Sequence, residues 1–249
     1  MSYFDSATPR IFAHRGSTGE HRIENTIAAF REALALGADY IETDVRATKD
    51  GIAILLHDGN LLRLGGSKED VADLDFEEVQ RICRAANFEV ATLRDAFTEL
   101  PDAKFNLDIK HEAACEPTAE FINEVEGFNR VLVSSFSSRR SRATHNLLRQ
   151  KVAKSGSAQT AILCWLICKL NLPTAWLSAA LDGSIALQVP VKQAFINFAD
   201  ERMILRLRKL GVETHFWVIN SAEQAKKLVS IGAAGIVTDD VKLIVATLR

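Results

Sequence analysis

Neither sign of charge dominates this sequence: thirty lysines and arginines stand against thirty-two aspartates and glutamates, a net of −2. That balance argues against a nucleic-acid footprint or a polyanionic tail, both of which need an excess of one sign. The densest basic cluster, Arg139, Arg140 and Arg142, reads as a solvated helix face. Long apolar runs are missing as well. The best candidate, Ala161 to Cys168, is cut off by Lys169 and Pro173, well short of the roughly 18 apolar residues of a membrane span. It reads as a buried helix, with an exposed apolar flap beside a lipid site as the alternative. The first ten residues hold no basic stretch followed by an apolar core, so the expectation is no signal peptide, no stable membrane insertion and a cytoplasmic location.

Cysteine is scarce and unpatterned. Cys83, Cys115, Cys164 and Cys168 form no C-x-x-C pair; Cys164 and Cys168 share a helical face, as small apolar core residues do, and reduced buried thiols are expected. There is no P-loop and no dinucleotide fingerprint, and His111-Glu112 is not followed by a second histidine at the zincin spacing, so nucleotide cofactors are not expected. Of only five prolines, Pro117, Pro173 and Pro190 fall at the edges of predicted elements.

What is present is a 249-residue chain, 47% hydrophobic, enough for a sizeable core and expected to form one domain over residues 1–249. Apolar strand-like runs begin near positions 11, 40, 105, 131, 152, 184, 213 and 235, with helical periodicity in most of the intervals. The helical intervals include 24–36, 75–82, 93–100, 140–149, 160–181, 201–210, 222–231 and the stretch from Val241. Eight strand-helix units predict an α/β fold, the (β/α)8 TIM barrel, and Ile52 to Leu56, returning after the turn Lys49-Asp50-Gly51, adds a hairpin strand to the second barrel strand. From Leu61 to Ala91 the pattern weakens around Gly65-Gly66.

In such a barrel the chemistry sits at the C-terminal ends of the strands. His14, Glu42, Asp44, Asp108, Lys110, Ser135, Gln188 and Trp217 all fall at or near such ends, so residues far apart in sequence converge. Side chains on a strand repeat every two residues, which puts Glu42 and Asp44 on one face. Two neighbouring carboxylates repel and need a cation, either a basic side chain or a metal. Taken singly, His14 and His57 would read as a strand cap and a loop hydrogen-bonder; in this acidic and basic company they read as functional. His21, His111, His145 and His215 lack such company and read as surface or core residues. Trp217 fits a substrate mouth and a core position equally.

In order along the chain, His14-Arg15-Gly16, Glu24-Asn25-Thr26, Glu42-x-Asp44, Thr48-Lys49-Asp50-Gly51, His57-Asp58, Asn106-Leu-Asp-Ile-Lys110, Ser134-Ser135-Phe136, Gln188-Val-Pro190, Trp217-x-x-Asn220 and Gly235-Ile-Val-Thr-Asp239 resemble the glycerophosphodiester phosphodiesterase family over nearly the whole length. The resemblance implies a TIM barrel that cleaves small glycerophosphodiesters to glycerol 3-phosphate and an alcohol, usually with a divalent metal, Mg²⁺ or Ca²⁺. It implies His14 and His57 as the acid/base pair, Glu42, Asp44 and Asp108 as metal ligands, Arg15 and Lys110 as phosphate-binding residues, and Gln188 and Trp217 along the substrate. Ile23 stands where the family usually has proline, and Asp108 where it usually has glutamate, one methylene shorter. The segment from Leu61 to Ala91 is short for the insertion the family often carries.

These residue types suit the chemistry. The planar fork of arginine matches phosphate oxygens, lysine adds a point charge, and a hard cation held by carboxylates acts as a Lewis acid. A histidine pair accepts one proton and donates another near neutral pH. Two other functions are weighed: a lysophospholipase D or sphingomyelinase D type activity with Ala161 to Cys168 against an acyl chain, and a silent phosphate binder on the same barrel, for which paired proton-transfer groups have no use.

Overall fold

The structure is a computed structural model that describes residues 3–17 and 23–249. Eight parallel strands close on themselves in the order β1 (Arg10–His14), β2 (Tyr40–Ala47), β4 (Phe105–Ile109), β5 (Val131–Ser134), β6 (Ala153–Gly156), β7 (Ala186–Pro190), β10 (Glu213–Trp217) and β11 (Gly235–Thr238). β11 pairs back onto β1 through Arg10 to Gly235 and Ala13 to Thr238, which completes the TIM barrel. The strand β3 (Ala53–Leu55) lies outside the ring, antiparallel to β2, after a turn in which Gly51 takes a φ of +79°. Every barrel strand expected from the sequence is present.

The helices that cover the ring are α1 (Ile27–Ala35), α2 (Leu62–Gly65), α3 (Phe76–Ala85), α4 (Leu93–Glu99), α5 (Cys115–Glu124), α6 (Ser138–Leu147), α7 (Ala158–Lys169), α8 (Thr174–Leu181), α9 (Glu201–Lys209), α10 (Ala222–Ser230) and α11 (Val241–Leu248). Local chemistry sets their starts. Thr26 accepts from Ala29 N, Thr92 and Asp95 form a reciprocal capping box, and Ser137, Ser157, Asp200, Ser221 and Asp240 each accept a backbone N–H of the first turn. A short hairpin, β8 (Lys192–Gln193) with β9 (Ile196–Asn197), stands on the loop after β7.

Period-two alternation divides the strands. Outward residues such as Ile41, Val45, Phe105, Leu107, Val131 and Val133 pack with Phe30, Phe97 and Ile122 from the helices, and a second cluster joins Leu187, Val189, Phe216 and Ile236 to α7, α9 and α10. Inward residues change character along the barrel axis. At the N-terminal end Phe12 stacks on Tyr40 with centroids 4.7 Å apart, beside Tyr3, Leu132 and Val237; at the other end come His14, Glu42, Asn106, Asp108 and Gln188. An aromatic floor thus lies beneath a polar mouth.

Four expectations are corrected. The helix α5 falls in a stretch read without one: Pro117 lies in its first turn, where a missing N–H costs nothing. The segment from Leu61 to Ala91 is more ordered than its weak pattern suggests, with Ile54, Leu61, Val71, Val79, Cys83 and Val90 forming a small core and α2 ending at Gly66, whose φ is +75°. Arg140 is not a solvated side chain, because its Nε donates to Ile109 O at 2.9 Å and Ser135 Oγ at 3.0 Å; Arg139 and Arg142 are exposed as expected. The helix over Ala161 to Cys168 exists but is buried on one face only: Ala161, Cys164 and Ile167 are inside, whereas Ile162, Leu163 and Leu166 face solvent. The cysteines are free, three of them buried and Cys168 half-buried.

Candidate active site

The polar mouth is a cavity of about 250 Å³ bordered by His14, Arg15, Glu42, His57, Asp108, Lys110, Gln188 and Trp217. Asp44, 1% exposed, adjoins it through Arg15 and Lys110. All nine site residues expected from the sequence are therefore brought together from β1, β2, β4, β7, β10 and the loop after β3.

The turn after β1 is tight. Arg15 adopts a φ of +58° and Gly16 one of +89°, and a Cβ on Gly16 would lie 2.8 Å from Ala29. The turn delivers the Arg15 guanidinium to Asp44, with Nε 3.0 Å from Oδ2, and to Glu24, with Nη1 3.2 Å from its carboxylate. Asn25, also at positive φ, donates from Nδ2 to Asp44 Oδ2 at 3.0 Å and accepts from Thr43 Oγ1 at 2.7 Å. Lys110 Nζ sits between two acids, 2.8 Å from Asp44 Oδ1 and 2.6 Å from Asp108 Oδ2.

Glu42, Asp44 and Asp108 each offer an oxygen within 4.8 Å of the other two. Three carboxylates against two cations leave an uncompensated negative charge in a dry place. Burial, then repulsion from Asp44, pushes the Glu42 carboxyl up to about 7. Asp44 goes the other way: burial opposes its charge, but Lys110 and Arg15 outweigh burial and hold it below the usual carboxylate range. Asp108 is raised, chiefly by burial, and Lys110 is raised because Asp108 and Asp44 outweigh its own burial. Asp108 Oδ1 is buried with no hydrogen-bond partner. Acceptor-only oxygens, surplus negative charge and an orphaned carboxylate oxygen fit a hard divalent cation.

Each histidine is tied to a carboxylate through one nitrogen. His14 Nδ1 lies 2.7 Å from Asp239 Oδ1, and Asn220 Nδ2 donates to the other oxygen of Asp239 at 2.8 Å. Burial lowers the His14 pKa, yet the Asp239 hydrogen bond and the charge of Glu42 outweigh it and leave the pKa above its ordinary value. His57 Nδ1 lies 2.8 Å from Asp58 Oδ1; Asp58 pairs with Arg63 at 2.7 Å, and Arg63 with Glu24 at 2.5 Å. Arg46 Nε holds the His57 carbonyl at 2.9 Å. In both cases it is Nδ1 that meets the carboxylate.

Gln188 accepts from Asn106 Nδ2 at 3.0 Å, and Trp217 packs edge-on against Phe136 with centroids 5.8 Å apart, lining the cavity with one side and packing on the barrel floor with the other. Among the described residues no other histidine lines the cavity: His215 is buried against Glu213, with Nδ1 3.5 Å from Gln188 Nε2, His145 is half-buried, and His111 caps a short 3-10 turn. His21 lies outside the described residues. The sequence reading missed the roles of Asp239, Asp58, Glu24, Asn25 and Arg63. For Asp239 the signal was available, because closing an eight-stranded ring makes β11 the neighbour of β1 and places an acid at its end beside His14.

Comparison with known proteins agrees with this geometry. Residues 14–243 match the Glycerophosphoryl diester phosphodiesterase family. The chain is 35% identical over 232 residues to the "Probable glycerophosphodiester phosphodiesterase 2" of Mycobacterium tuberculosis, covering 93% of this chain and 88% of that protein. It is 24% identical over 282 residues to the rat protein named "Lysophospholipase D GDPD1", covering 92% and 83% respectively. Among solved structures, an Oleispira antarctica phosphodiesterase shares the fold with a TM-score of 0.75 at 23% identity, over 96% of each chain. With one family matched across nearly its whole length, the chain belongs to the glycerophosphoryl diester phosphodiesterase family.

Proposed function

We propose that this chain, acting as one domain over residues 1–249, hydrolyses small glycerophosphodiesters to glycerol 3-phosphate and an alcohol. The observation that carries the reading is the pair of carboxylate-tied histidines, His14 on Asp239 and His57 on Asp58, bordering the same cavity as the Glu42, Asp44 and Asp108 cluster. The Oleispira antarctica neighbour was solved with the product sn-glycerol-3-phosphate, a ligand of the size such a cavity takes.

In this reading Arg15 and Lys110 attract and orient the diester phosphate at the mouth, and their pairing with Asp44 and Asp108 keeps both cations fixed before substrate arrives. One histidine takes the proton of the attacking oxygen, either water or the substrate's own glycerol hydroxyl, as that oxygen bonds to phosphorus. The other donates a proton to the departing alkoxide as its P–O bond breaks, so no poor anion has to leave unprotonated. Where the attacking oxygen is the glycerol hydroxyl, the cyclic phosphate so formed is then opened by water, with a P–O bond of the cycle breaking and the two histidines exchanging roles. Asp239 and Asp58 orient the rings and stabilise the protonated form of each. A divalent ion on Glu42, Asp44 and Asp108, Mg²⁺ or Ca²⁺ by donor type, would supply Lewis-acid charge for the phosphoryl oxygens. Gln188 and Trp217 shape the wall along which the glycerol or head group lies.

The test is release of glycerol 3-phosphate from glycerophosphocholine by the purified protein, first with EDTA and then with Mg²⁺ or Ca²⁺ restored. Release that EDTA abolishes and one ion restores is expected; no release with any ion overturns the reading. A second reading, a lysophospholipase D type activity, draws support from the apolar side of the cavity, where Ile162, Phe198 and Trp217 meet, and from the name of the rat relative. Turnover of lysophosphatidylcholine faster than of glycerophosphocholine would favour it.

A further inference from the structure

The outer surface of α7, α8 and the β8–β9 hairpin is an unusual one for a water-facing part of a barrel. Ile162, Leu163 and Leu166 project from α7, Leu170 follows at 59% exposure, Trp176 on α8 is also 59% exposed, and Phe195 at the hairpin tip is 83% exposed. These residues are not scattered. Trp165 and Phe195 meet edge-on with centroids 6.4 Å apart, which joins the hairpin to α7, and α7 packs directly on α8. Isolated exposed apolar residues need no explanation, whereas a contiguous patch marks a surface that something covers.

Charge narrows what that something is. From residue 127 to residue 199 the sequence has nine lysines and arginines and one acidic residue, Asp182; Arg130 and Arg140 turn inward to backbone carbonyls and Lys154 pairs with Asp182, whereas Arg142, Lys169 and Lys192 are exposed. The only charge within α7 and α8 is Lys169. Lys192 lies on the hairpin, and Arg142 borders the groove that Leu163 shares with Ala179 and Ala180. An apolar face that carries Lys169, Lys192 and Arg142 at its borders complements a lipid surface bearing negative head groups, where acyl chains take the apolar side chains and phosphates take the cations.

Position completes the picture. Ile162 belongs to the patch and to the cavity wall at once, and Phe136, half exposed, stands at the same mouth above Lys110. The apolar surface therefore runs without a break into the candidate active site. Among the described residues no helix is long and apolar enough to cross a membrane, so contact of this kind is peripheral.

We propose that the face formed by α7, α8 and the β8–β9 hairpin docks this protein reversibly on an anionic lipid surface, with the mouth of the cavity at its edge. The inference stands apart from the phosphodiesterase reading, and its test reads binding rather than turnover. The full-length protein is sedimented with vesicles of phosphatidylcholine alone and of phosphatidylcholine with one third phosphatidylglycerol. Binding to the anionic vesicles is expected to exceed binding to the neutral ones about tenfold and to fall sharply in about 1 M salt, where the Debye length is only ~3 Å. The triple variant L166S/L170S/F195S alters only exposed positions outside the cavity and should lose that binding, while an unchanged Tm shows that it is folded. The variant K169E/K192E should lose the preference for anionic vesicles and keep its fold. Absence of binding to either vesicle, or equal binding by the folded triple variant, overturns the proposal. So does a concentration-dependent dimer that the triple variant abolishes, because a second copy of the chain would then be what covers the patch.

Discussion

His14 and His57 share an arrangement: Nδ1 on a carboxylate, and that carboxylate held by another side chain. If they divide proton transfer between them, His14→Ala and His57→Ala should each lower kcat by about 10²- to 10⁴-fold with little change in Tm, measured on glycerophosphocholine. An unchanged rate in either variant removes that histidine from the chemistry. A third histidine gives a prediction about stability. His215 Nε2 lies 2.9 Å from Glu213, which Arg10 also grips at 2.8 and 3.0 Å. Burial disfavours the Glu213 charge, but His215 and Arg10 outweigh it and bring the carboxyl down to about 2. A carboxylate with a depressed pKa stabilises the fold fully above its unfolded value and loses that contribution as pH falls toward the folded one. Glu213→Gln should therefore cost about 2 to 3 kcal/mol at neutral pH, a fall of roughly 4 to 10 °C in Tm. That gap should narrow steadily as pH drops from about 4.5 toward 2, in thermal scans of both proteins. The histidines and the acids of the mouth were legible from the sequence because each lies within or shortly after a strand-like run, where the period of two assigns it a face. Their partners were harder to see: Asp239 comes beside His14 only when the eight strands are closed into a ring, and Glu24 meets Arg15 and Arg63 through side-chain contacts that no periodicity announces.

The β1–α1 junction carries a different kind of constraint. Gly16 has both a left-handed φ and no room for a Cβ, with Ala29 of α1 at 2.8 Å. Gly16→Ala should destabilise the fold by about 1 to 3 kcal/mol and shift the neighbouring Arg15, so chemical denaturation should show lower stability and kinetics a raised KM. Strands were the most legible elements because each is a short apolar run between polar breaks, and the hairpin strand β3 was found for the same reason. Helices were less so. In α5 the buried residues are Cys115, Thr118, Ala119, Phe121 and Ile122, and Thr118 and Ala119 at its middle are too polar or too small to announce a face. In α7 the opposite failure operated: apolar residues lie all round the helix, so periodicity gave no face and burial on every side was inferred where only one side is covered.

At the scale of the whole molecule, the barrel sets an aromatic floor beneath a mouth whose acids outnumber its cations. A cation that binds only the folded form stabilises it by linkage, about 2.7 kcal/mol at a hundredfold excess over Kd. For a chain of this length that amounts to roughly 5 to 10 °C, so Mg²⁺ or Ca²⁺ should raise Tm relative to EDTA by that order. The rise should vanish in Glu42→Gln and in Asp108→Asn, as differential scanning calorimetry would show; a rise that persists in both places the ion elsewhere.

The ring closes between its first and last strands, and that closure also sets a sequence in time. His14 and Asp239 stand 225 positions apart in the chain. At ~5–20 residues per second a ribosome makes the histidine on the order of tens of seconds before the aspartate that orients it. Until then β1 has one open edge, and if the His14–Asp239 pair serves the proposed chemistry, the nascent protein should be inactive and a product truncated before β11 should stay so.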